Sequence, residues 1–334
     1  MSNKSMTILR HILFISLIGF WLQPLIAQDP VMSHFISNGI QIDPSIAGIE
    51  GPARFYMGYR NQWPNTSSTF ITYQAAYDQY IEKLHGGLGF HVMNDRQGGG
   101  IFNTYNLDLM YAYQFMANRK IHFSGALQAG IGQRSFDPFY LELGDMIDPV
   151  TGGLSGLTEN IDGYSVFYPD FAVGFSGYYD IFNGGAAIHH LLTPYVTDTK
   201  DESERIARTY TLHFGALIPV KERRRGREII QLYPQIIYMQ QLNKQQFIYG
   251  IDMYYSGFIF GLKTRHDLVF NYGDLIFNLG YYTDKIRFRY SYDTKLTHPS
   301  NRLKNLGAHE LSLLIIYEKH SRRNRQRTIK YPKI

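Results

Sequence analysis

Apolar and polar side chains alternate along most of this chain. The clearest stretch is Ile286-Arg287-Phe288-Arg289-Tyr290-Ser291-Tyr292-Asp293. Because successive side chains of a strand point to opposite faces, this stretch has one apolar face and one charged face. A soluble sheet can show the same alternation, but here it recurs over most of the chain and is rich in Tyr and Phe. The pattern therefore favours a membrane β-barrel.

The alternation predicts fourteen strands separated by turns. They span residues 53–61, 68–78, 84–94, 101–115, 119–133, 166–179, 181–191, 206–220, 228–240, 246–254, 256–265, 273–282, 284–293 and 308–318. Strands of about ten residues have the length of tilted strands that cross a bilayer. We predict an all-β fold: a transmembrane antiparallel β-barrel of about 14 strands, with an irregular N-terminal segment before it.

The lengths of the connections support this strand count. If the N-terminus is periplasmic, every odd-numbered connection lies outside the cell. The three longest gaps, around 134–165, 192–205 and 294–307, follow strands five, seven and thirteen and therefore share the outer side. The even-numbered connections are short turns, and this asymmetry is typical of outer-membrane barrels.

The ends of the chain have a different composition from its body. Residues 1–27 resemble a secretory signal peptide, with Lys4 and Arg10 before a short apolar run, although a retained membrane anchor is the alternative. Residues 28–50 are an irregular segment that is either a periplasmic lead-in or a plug. Residues 51–319 form the predicted barrel, and residues 320–334 form a basic tail that the strand count places in the periplasm.

Charge and cysteine content narrow the range of functions. The net charge is +5, but residues 1–27 contribute two positive charges and residues 320–334 six, so the body between them carries −3. This distribution argues against a nucleic-acid partner. The sequence contains no cysteine, which excludes disulfides and thiolate metal sites.

The motifs of common catalytic and metal sites are missing from the sequence, and we expect neither a metal nor a cofactor. His189 and His190 are adjacent on a predicted strand and point to opposite faces, so they cannot chelate one ion. His122 and Ser124 share a face, where a histidine base could activate a hydroxyl as in outer-membrane phospholipase A. However, their face is the polar one, away from lipid, and we therefore expect no enzymatic activity.

The polar faces of the strands are predicted to line the lumen. They carry Asp108, His122, Gln128, His213, Arg287, Arg289, Asp293 and Glu310. Two interpretations remain open: a solvated lumen with internally paired charges, or a surface that receives a plug or a passing polypeptide. We also predict that Arg287 or Arg289 pairs with Glu310, since their strands are neighbours.

Two basic clusters are predicted at the periplasmic rim. The first consists of Arg223, Arg224 and Arg225 in a turn, and the second of Arg322, Arg323, Arg325 and Arg327 in the tail. Either the tail is simply solvated, or the clusters dock onto anionic lipid headgroups or an acidic periplasmic protein.

Several stretches together resemble the PorP/SprF family of the type IX secretion system. The resemblance covers essentially the whole mature chain, and Asp43 and Ser45 depart from the family's usual Asn and Ala. The stretches are Gln28-Asp29-Pro30, Asp43-Pro44-Ser45-Ile46-Ala47-Gly48, Tyr59-Arg60-Asn61-Gln62-Trp63, Gly87-Leu88-Gly89, Asn94-Asp95, Tyr111-Ala112-Tyr113, Pro169-Asp170-Phe171, His189-His190-Leu191, Tyr290-Ser291-Tyr292-Asp293 and Gly307-Ala308-His309-Glu310-Leu311. The most specific are the one with Arg60, Asn61, Gln62 and Trp63 and the one with His309 and Glu310.

The resemblance implies a non-enzymatic barrel of the bacterial outer membrane that works with type IX secretion or gliding components. Its implied partners are outer-membrane lipid, periplasmic components of the secretion system, and a cargo protein with a C-terminal sorting domain, such as an adhesin. The expected function is to support export or cell-surface anchoring of that cargo. A passive porin or small-solute channel is the alternative.

Overall fold

The computed structural model describes residues 30–34, 38–64, 66, 69–118, 120–141, 161–199, 204–221, 230–268, 273–295 and 307–317. Within them, the strands are β1 (Ala53–Gln62), β2 (Phe70–Ile81), β3 (Gly86–Gln97), β4 (Phe102–Met116), β5 (Ile121–Phe136), β6 (Tyr164–Tyr179), β7 (Phe182–His189), β8 (Thr209–Ala216), β9 (Ile218–Lys221), β10 (Ile230–Gln241), β11 (Lys244–Tyr255), β12 (Phe258–His266), β13 (Gly273–Tyr282), β14 (Ile286–Lys295) and β15 (Ala308–Tyr317). Among the same residues, no helix has both the length and the apolar composition of a membrane span.

These strands close into one antiparallel barrel. Each strand pairs with its neighbour in sequence, and the last strand, β15, pairs with the first along its whole length, from Ala53–Tyr317 to Gln62–Ala308. β8 and β9 both pair with β10 and are two parts of one wall strand interrupted at Leu217. The described part of the chain therefore forms a wall of fourteen strands, which confirms the predicted fold class.

The two faces of the wall differ as the alternation predicts. On β4 and β5, Leu109 and Leu127 point outward and are 58% and 68% exposed, whereas the intervening Asp108 and Gln128 point inward and are buried. A belt of exposed aliphatic and aromatic side chains on a closed barrel is the surface that lipid covers. On β14, Phe288 lies on this outer face and Arg289 on the inner one.

The connections divide the barrel into two unlike ends. Residues 137–163, 190–208 and 296–307 connect strands at the same end, which we call the long-loop end. The opposite, short-turn end carries connections such as residues 180–181, 256–257 and 283–285. β1 begins and β15 finishes at the short-turn end.

The N-terminal segment lies inside the barrel. We call residues 30–34 and 38–51 the plug; it contains a single-turn helix, α1 (Gly39–Ile42), and a 3₁₀ turn, Pro44–Ile46. Asp43 caps this turn by accepting a hydrogen bond from the Ser45 amide. The apolar side chains of the plug pack against inward-facing residues of the wall. This shared core consists of Ile40, Ile46, Ala47, Ile49, Tyr56, Ala76, Met110, Ala112, Ala126, Tyr178, Leu314 and Ile316.

The plug approaches the wall most closely at two glycines. Gly48 has a φ of +69°, a backbone conformation that glycine adopts without strain, and faces Gly87 on β3. A Cβ placed on Gly87 would lie 1.9 Å from the Ala47 carbonyl oxygen. Gly87 therefore leaves the space that the Ala47–Gly48 backbone occupies.

We predict that Gly87→Ala destabilises the barrel by about 1–3 kcal/mol because the added methyl group overpacks this contact. Urea unfolding of the purified protein in detergent measures the change. Gly125→Ala is the matched control, since a Cβ there meets only the Phe175 ring, 3.9 Å away. Equal destabilisation by both substitutions would contradict the close approach.

Candidate functional site

The plug is held in the lumen by the carboxylate of Glu310 on β15. This carboxylate is fully buried, and it accepts the amide N–H of Ser33 at 2.6 Å and that of His34 at 2.8 Å. The His34 ring nitrogen Nδ1 lies 3.1 Å from the same carboxylate. A wall side chain thus satisfies main-chain donors that the irregular plug cannot satisfy itself.

A second carboxylate and two arginines surround the same point. The Ser33 hydroxyl donates to Asp293 at 2.7 Å and accepts from Arg60 at 2.9 Å and from Arg265 at 3.0 Å. Arg60 bridges the two acids, at 2.9 Å from Asp293 and 3.2 Å from Glu310. We call Ser33, Arg60, Arg265, Asp293 and Glu310 the lock; four wall strands thus contribute to it.

Buried charges continue from the lock around the wall. The Lys263 ammonium lies 3.1 Å from the Asp252 carboxylate, and Arg289 donates to the hydroxyl of Tyr254 at 2.8 Å. Asp252 also lies 3.7 Å from Arg289. Charges so deeply buried are tolerated only where opposite charges and hydrogen bonds surround them.

A separate ion cluster ties the plug to the short-turn end. Arg54 on β1 contacts Glu50 at 2.7 Å and Asp78 at 2.9 Å. Asp78 in turn accepts the amide of Gly48 at 2.7 Å, and Glu50 also lies 3.4 Å from Arg287. The point where the plug turns into β1 is therefore fixed by charges on the wall.

The middle of the plug bonds to strands on the other side of the lumen. His213 on β8 lies 2.9 Å from Asp43, and His189 on β7 lies 3.0 Å from the carbonyl oxygen of Ile42. Ser124 on β5 donates to the carbonyl of Ser45 at 2.7 Å. The plug thus contacts the wall on opposite sides rather than resting against one strand.

A small space remains beside the plug. This luminal cavity has a volume of about 80 Å³ and lies between Ile40 and Ile42 of the plug and the inward faces of the wall. Two histidine–aspartate pairs line it: His91 with Asp108 at 3.1 Å, and His190 with Asp170 at 2.9 Å. The cavity is large enough for a few waters or one side chain.

The predicted pairing of Arg287 or Arg289 with Glu310 is wrong. The register of β14 and β15 places Ser291 opposite Glu310, Arg289 opposite Ser312, and Arg287 opposite Leu314. Arg60 of β1 lies directly opposite Glu310 across the closing strand pair and takes the place that we assigned to the β14 arginines.

The other sequence-predicted residues lie in several places. Asp108, His122, Arg287, Arg289, Asp293 and Glu310 all point into the lumen and are buried. Of these, Asp293 and Glu310 belong to the lock and Arg287 to the ion cluster at the short-turn end. The hydroxyl of Ser124, considered with His122 as a catalytic pair, is buried and bonded to the plug. Arg223, Arg224, Arg225, Arg322, Arg323, Arg325 and Arg327 lie outside the described residues.

The remaining family-motif residues surround the long-loop end of β1 and β15. Asn61 accepts a hydrogen bond from the Thr69 hydroxyl at 3.0 Å, and Gln62 accepts one at its carbonyl from the same hydroxyl. The Trp63 amide donates to the carbonyl of Gly307 at 2.9 Å, and the ring of His309 packs against Tyr292. The Trp63–Gly307 bond joins the two strands that close the barrel, and the other contacts tie β1 to the start of β2 and β15 to β14.

Sequence reasoning missed Ser33, His34, Asp252, Lys263 and Arg265. A signal for the last two was present, because Lys263 and Arg265 alternate with outward-facing residues on a strand that was correctly predicted. Ser33 and His34 lie in an irregular segment, where no periodicity indicates which side chains are buried.

Taken together, the closed wall, the apolar outer belt and the filled polar lumen define a plugged β-barrel of the outer-membrane class. The comparison with protein families identifies it further. The family described as "Type IX secretion system membrane protein PorP/SprF" matches residues 25–315, and this chain belongs to that family. The protein is accordingly an outer-membrane protein.

The comparison with solved structures found matches at very low sequence identity. The toluene transporter TbuX of Ralstonia pickettii is 10% identical, with 84% of this chain and 92% of that one covered and a TM-score of 0.47. The monoaromatic hydrocarbon channel CymD is 8% identical, with 85% and 94% covered and a TM-score of 0.46. Omp33 of Acinetobacter baumannii is 6% identical, with 81% and 100% covered and a TM-score of 0.42. A search of curated proteins found no match.

We predict that Glu310→Gln loosens the plug, because Arg60 and the two plug amides lose the buried negative charge that they contact. Removing one partner of a buried ion pair costs about 3–5 kcal/mol. Limited proteolysis of the N-terminal segment in detergent measures the loosening. The exposed Glu82 at the short-turn end provides the control Glu82→Gln. The double variant Arg60→Gln/Glu310→Gln should recover part of the loss. Unchanged protection in Glu310→Gln would show that the lock does not hold the plug.

The plug is also predicted to weaken in acid through His34. Burial lowers the pKa of the His34 imidazole well below its ordinary value of 6.5, and Arg289, Lys263 and Arg60 lower it further. The folded state therefore binds fewer protons than the unfolded chain below pH 6.5. The contribution of His34 to stability is complete above that pH and falls as the pH drops toward the folded pKa.

Urea midpoints measured between about pH 8 and about pH 5 test this dependence, because an unperturbed histidine titrates within that range. His34→Gln should flatten the acid side of the curve relative to the unmodified protein. The matched control is His85→Asn. His85 is exposed and has a φ of +50°, a conformation that asparagine tolerates, so this variant should keep the pH slope of the unmodified protein. Identical slopes for His34→Gln and the unmodified protein would contradict the proposal.

Proposed function

We propose that this barrel supports the export, the cell-surface anchoring, or both, of a type IX cargo protein that carries a C-terminal sorting domain. The observation that carries the proposal, beside membership of the family, is the plug held by the lock. A barrel filled in this way is a rigid support in the membrane and offers its ends, rather than its lumen, to other proteins. An adhesin-like surface protein is the kind of cargo that needs such a support.

The bonds made by the wall's polar groups favour a scaffold for cargo rather than a route for a polypeptide through the lumen. Glu310, Asp78 and Ser124 each bond to the main chain of the plug and are therefore committed to it. For a polypeptide to pass through the lumen, the plug would first have to leave, and these groups would lose their partners. Cargo held at the long-loop end requires no such rearrangement.

We further propose that the long-loop end faces the outside and the short-turn end faces the periplasm. Long outer loops and short periplasmic turns are the usual arrangement in outer-membrane barrels. β9 and β15 both finish at the short-turn end, and the basic segments with Arg223–Arg225 and Arg322–Arg327 follow these two strands in the sequence. Two basic segments at one rim favour contact with periplasmic components of the secretion system.

A passive channel is the alternative function for a barrel of this size. In its favour, the lumen is polar and retains a cavity beside the plug. The volume of that cavity, about 80 Å³, weighs against a continuous water-filled route. The plugged lumen therefore makes the channel the weaker candidate.

We predict that cells lacking this gene lose most of the cell-attached form of at least one large secreted protein with a C-terminal sorting domain. Quantitative proteomics of the cell-surface and culture-medium fractions measures the loss. Complementation with the full gene should restore attachment, and a gene truncated after residue 319 tests the basic tail. If every surface adhesin is still exported and attached in the deletion strain, the proposal fails.

Planar-bilayer conductance of the purified protein separates the two functions. The proposed scaffold should be closed, and Glu310→Gln should add current fluctuations because the plug is looser. A large and steady conductance in the unmodified protein, together with normal cargo attachment in the deletion strain, would establish the channel instead.

A further inference from the structure

Two motif stretches, Pro169-Asp170-Phe171 and His189-His190-Leu191, meet at the point where the pairing of β6 with β7 ends. The ladder between β6 and β7 extends from Tyr179–Phe182 only as far as Val173–Ile188. On its other side, β6 continues to pair with β5 up to Phe136–Tyr164. We call Pro169, Asp170, Phe171, His190 and Leu191 the seam.

The backbone of the seam differs from that of a regular ladder. In an antiparallel pair, a residue offers its N–H and its C=O to the same neighbour. The Phe171 carbonyl accepts the Leu191 amide at 3.0 Å, but the Phe171 N–H bonds to the Asp170 carboxylate at 2.9 Å. Two residues earlier on the same side, Pro169 has no N–H to offer. His190 has a φ of +55° and its ring lies against Asp170, which directs Leu191 to the outer face.

An apolar groove starts at the seam on the lipid side of the wall. The groove has a volume of about 650 Å³, which lies in the range of ligand sites, and its lining is almost entirely apolar. Its floor is Ala129, a small outward-facing residue on β5. Larger side chains surround it, namely Phe90, Leu109, Leu127, Phe171, Val173 and Leu191.

The groove crosses the strands from the seam, because Phe171, Ala129, Leu109, Phe90 and Tyr77 lie directly opposite one another on β6, β5, β4, β3 and β2. Its upper end is at Phe171 and Leu191, and its lower end reaches Leu88 and Tyr77, near the short-turn ends of β3 and β2. Because the strands of a membrane barrel are tilted by about 35–45°, this row runs obliquely across the lipid face. Because only hydrocarbon contacts this face of a membrane barrel, an acyl chain matches its polarity.

A cation lies at the upper end of the groove. The Nε of Arg208 donates to the Leu191 carbonyl at 3.1 Å, and the Arg208 side chain is exposed. This bond leaves the two terminal guanidinium nitrogens of Arg208 to donate to an anion such as a phosphate. An apolar groove and an exposed guanidinium are thus joined through one residue, Leu191.

From this arrangement we propose that the seam and its groove bind one anionic, phosphate-headed membrane lipid. Its acyl chain occupies the groove over Ala129, and its phosphate binds Arg208. This binding site is separate from the lock and does not depend on the proposed role in secretion.

Photolabelling of the purified full chain in detergent tests the acyl-chain part. The probe is phosphatidic acid with a diazirine on its acyl chain, and mass spectrometry of peptides maps the label. We expect the label to concentrate on the groove and to decrease severalfold in Ala129→Phe, which fills the floor. Ala186→Phe, an outward-facing position on β7 outside the groove, is the matched control and should label like the unmodified protein.

The headgroup part is tested by comparing the same probe with its phosphatidylcholine counterpart. The unmodified protein should prefer phosphatidic acid by about tenfold, the preference that one charge-assisted contact can supply. Arg208→Gln should abolish the preference and keep the acyl-chain label, and Lys295→Gln, at another exposed position of the long-loop end, should leave the preference unchanged.

Two outcomes would overturn the proposal. Label spread evenly around the lipid face, or equal labelling in Ala129→Phe and Ala186→Phe, would show that the groove holds only ordinary surrounding lipid. A preference for phosphatidic acid that persists in Arg208→Gln would show that Arg208 does not bind the headgroup. All four substitutions are at exposed positions, and the heat-induced shift in gel mobility verifies that each variant is folded.

Discussion

The space enclosed by the wall is the constraint on which the rest of the structure depends. About eight strands leave just enough room for their own side chains, whereas fourteen leave room that must be filled by water or by protein. Here the plug lies in that space, and its short, irregular course exposes main-chain groups that need partners. Glu310, Asp78 and Ser124 supply those partners from three different strands. The polar inner face and the irregular N-terminal segment are therefore one unit.

Charge pairing is what makes this unit specific. Ions inside a protein lose their hydration, and the attraction between them rarely stabilises more than well-packed apolar groups would. Their effect is instead to penalise wrong arrangements. If the plug shifted by one residue, the Ser33 hydroxyl would leave Asp293 and Arg60, and the amide bonded to Glu310 would change. The lock therefore specifies one position of the plug along the barrel, while the apolar core around Ile46 and Ala47 supplies most of the favourable burial.

The sequence allowed the wall to be predicted, because every strand of a membrane barrel faces lipid on one side. That requirement acts on each strand by itself, so the alternation of Leu107, Leu109 and Tyr111 with polar or small neighbours was sufficient evidence. The same alternation shows that Arg287 and Arg289 point inward but not which residues they contact. Contacts depend on register, and in the register of β14 and β15 Arg289 lies two residues and Arg287 four residues before Ser291, the residue opposite Glu310.

The contacts of the plug could not be predicted for a related reason. Ser33 and Glu310 are 277 positions apart, and Arg60 and Glu310 meet only because the first strand pairs with the last. A short irregular segment has no periodicity from which burial can be inferred, so both a plug and a periplasmic lead-in were consistent with residues 28–50. Pro44, which opens the 3₁₀ turn, and Gly48, with its positive φ, let the chain turn within the lumen.

Several of the stretches that resemble the family have one role in common in the structure. Those with Asp43, Arg60, Gly87, Asp293 and Glu310 all contribute to contacts between plug and wall. Because the outer face is committed to lipid and the inner face to the plug, neither is free to vary with the identity of a protein partner. The connections at the two ends belong neither to the lipid-facing surface nor to the surface that contacts the plug. Under the proposed function, the choice of cargo should therefore reside in the connections at the long-loop end, which follow β5, β7 and β14.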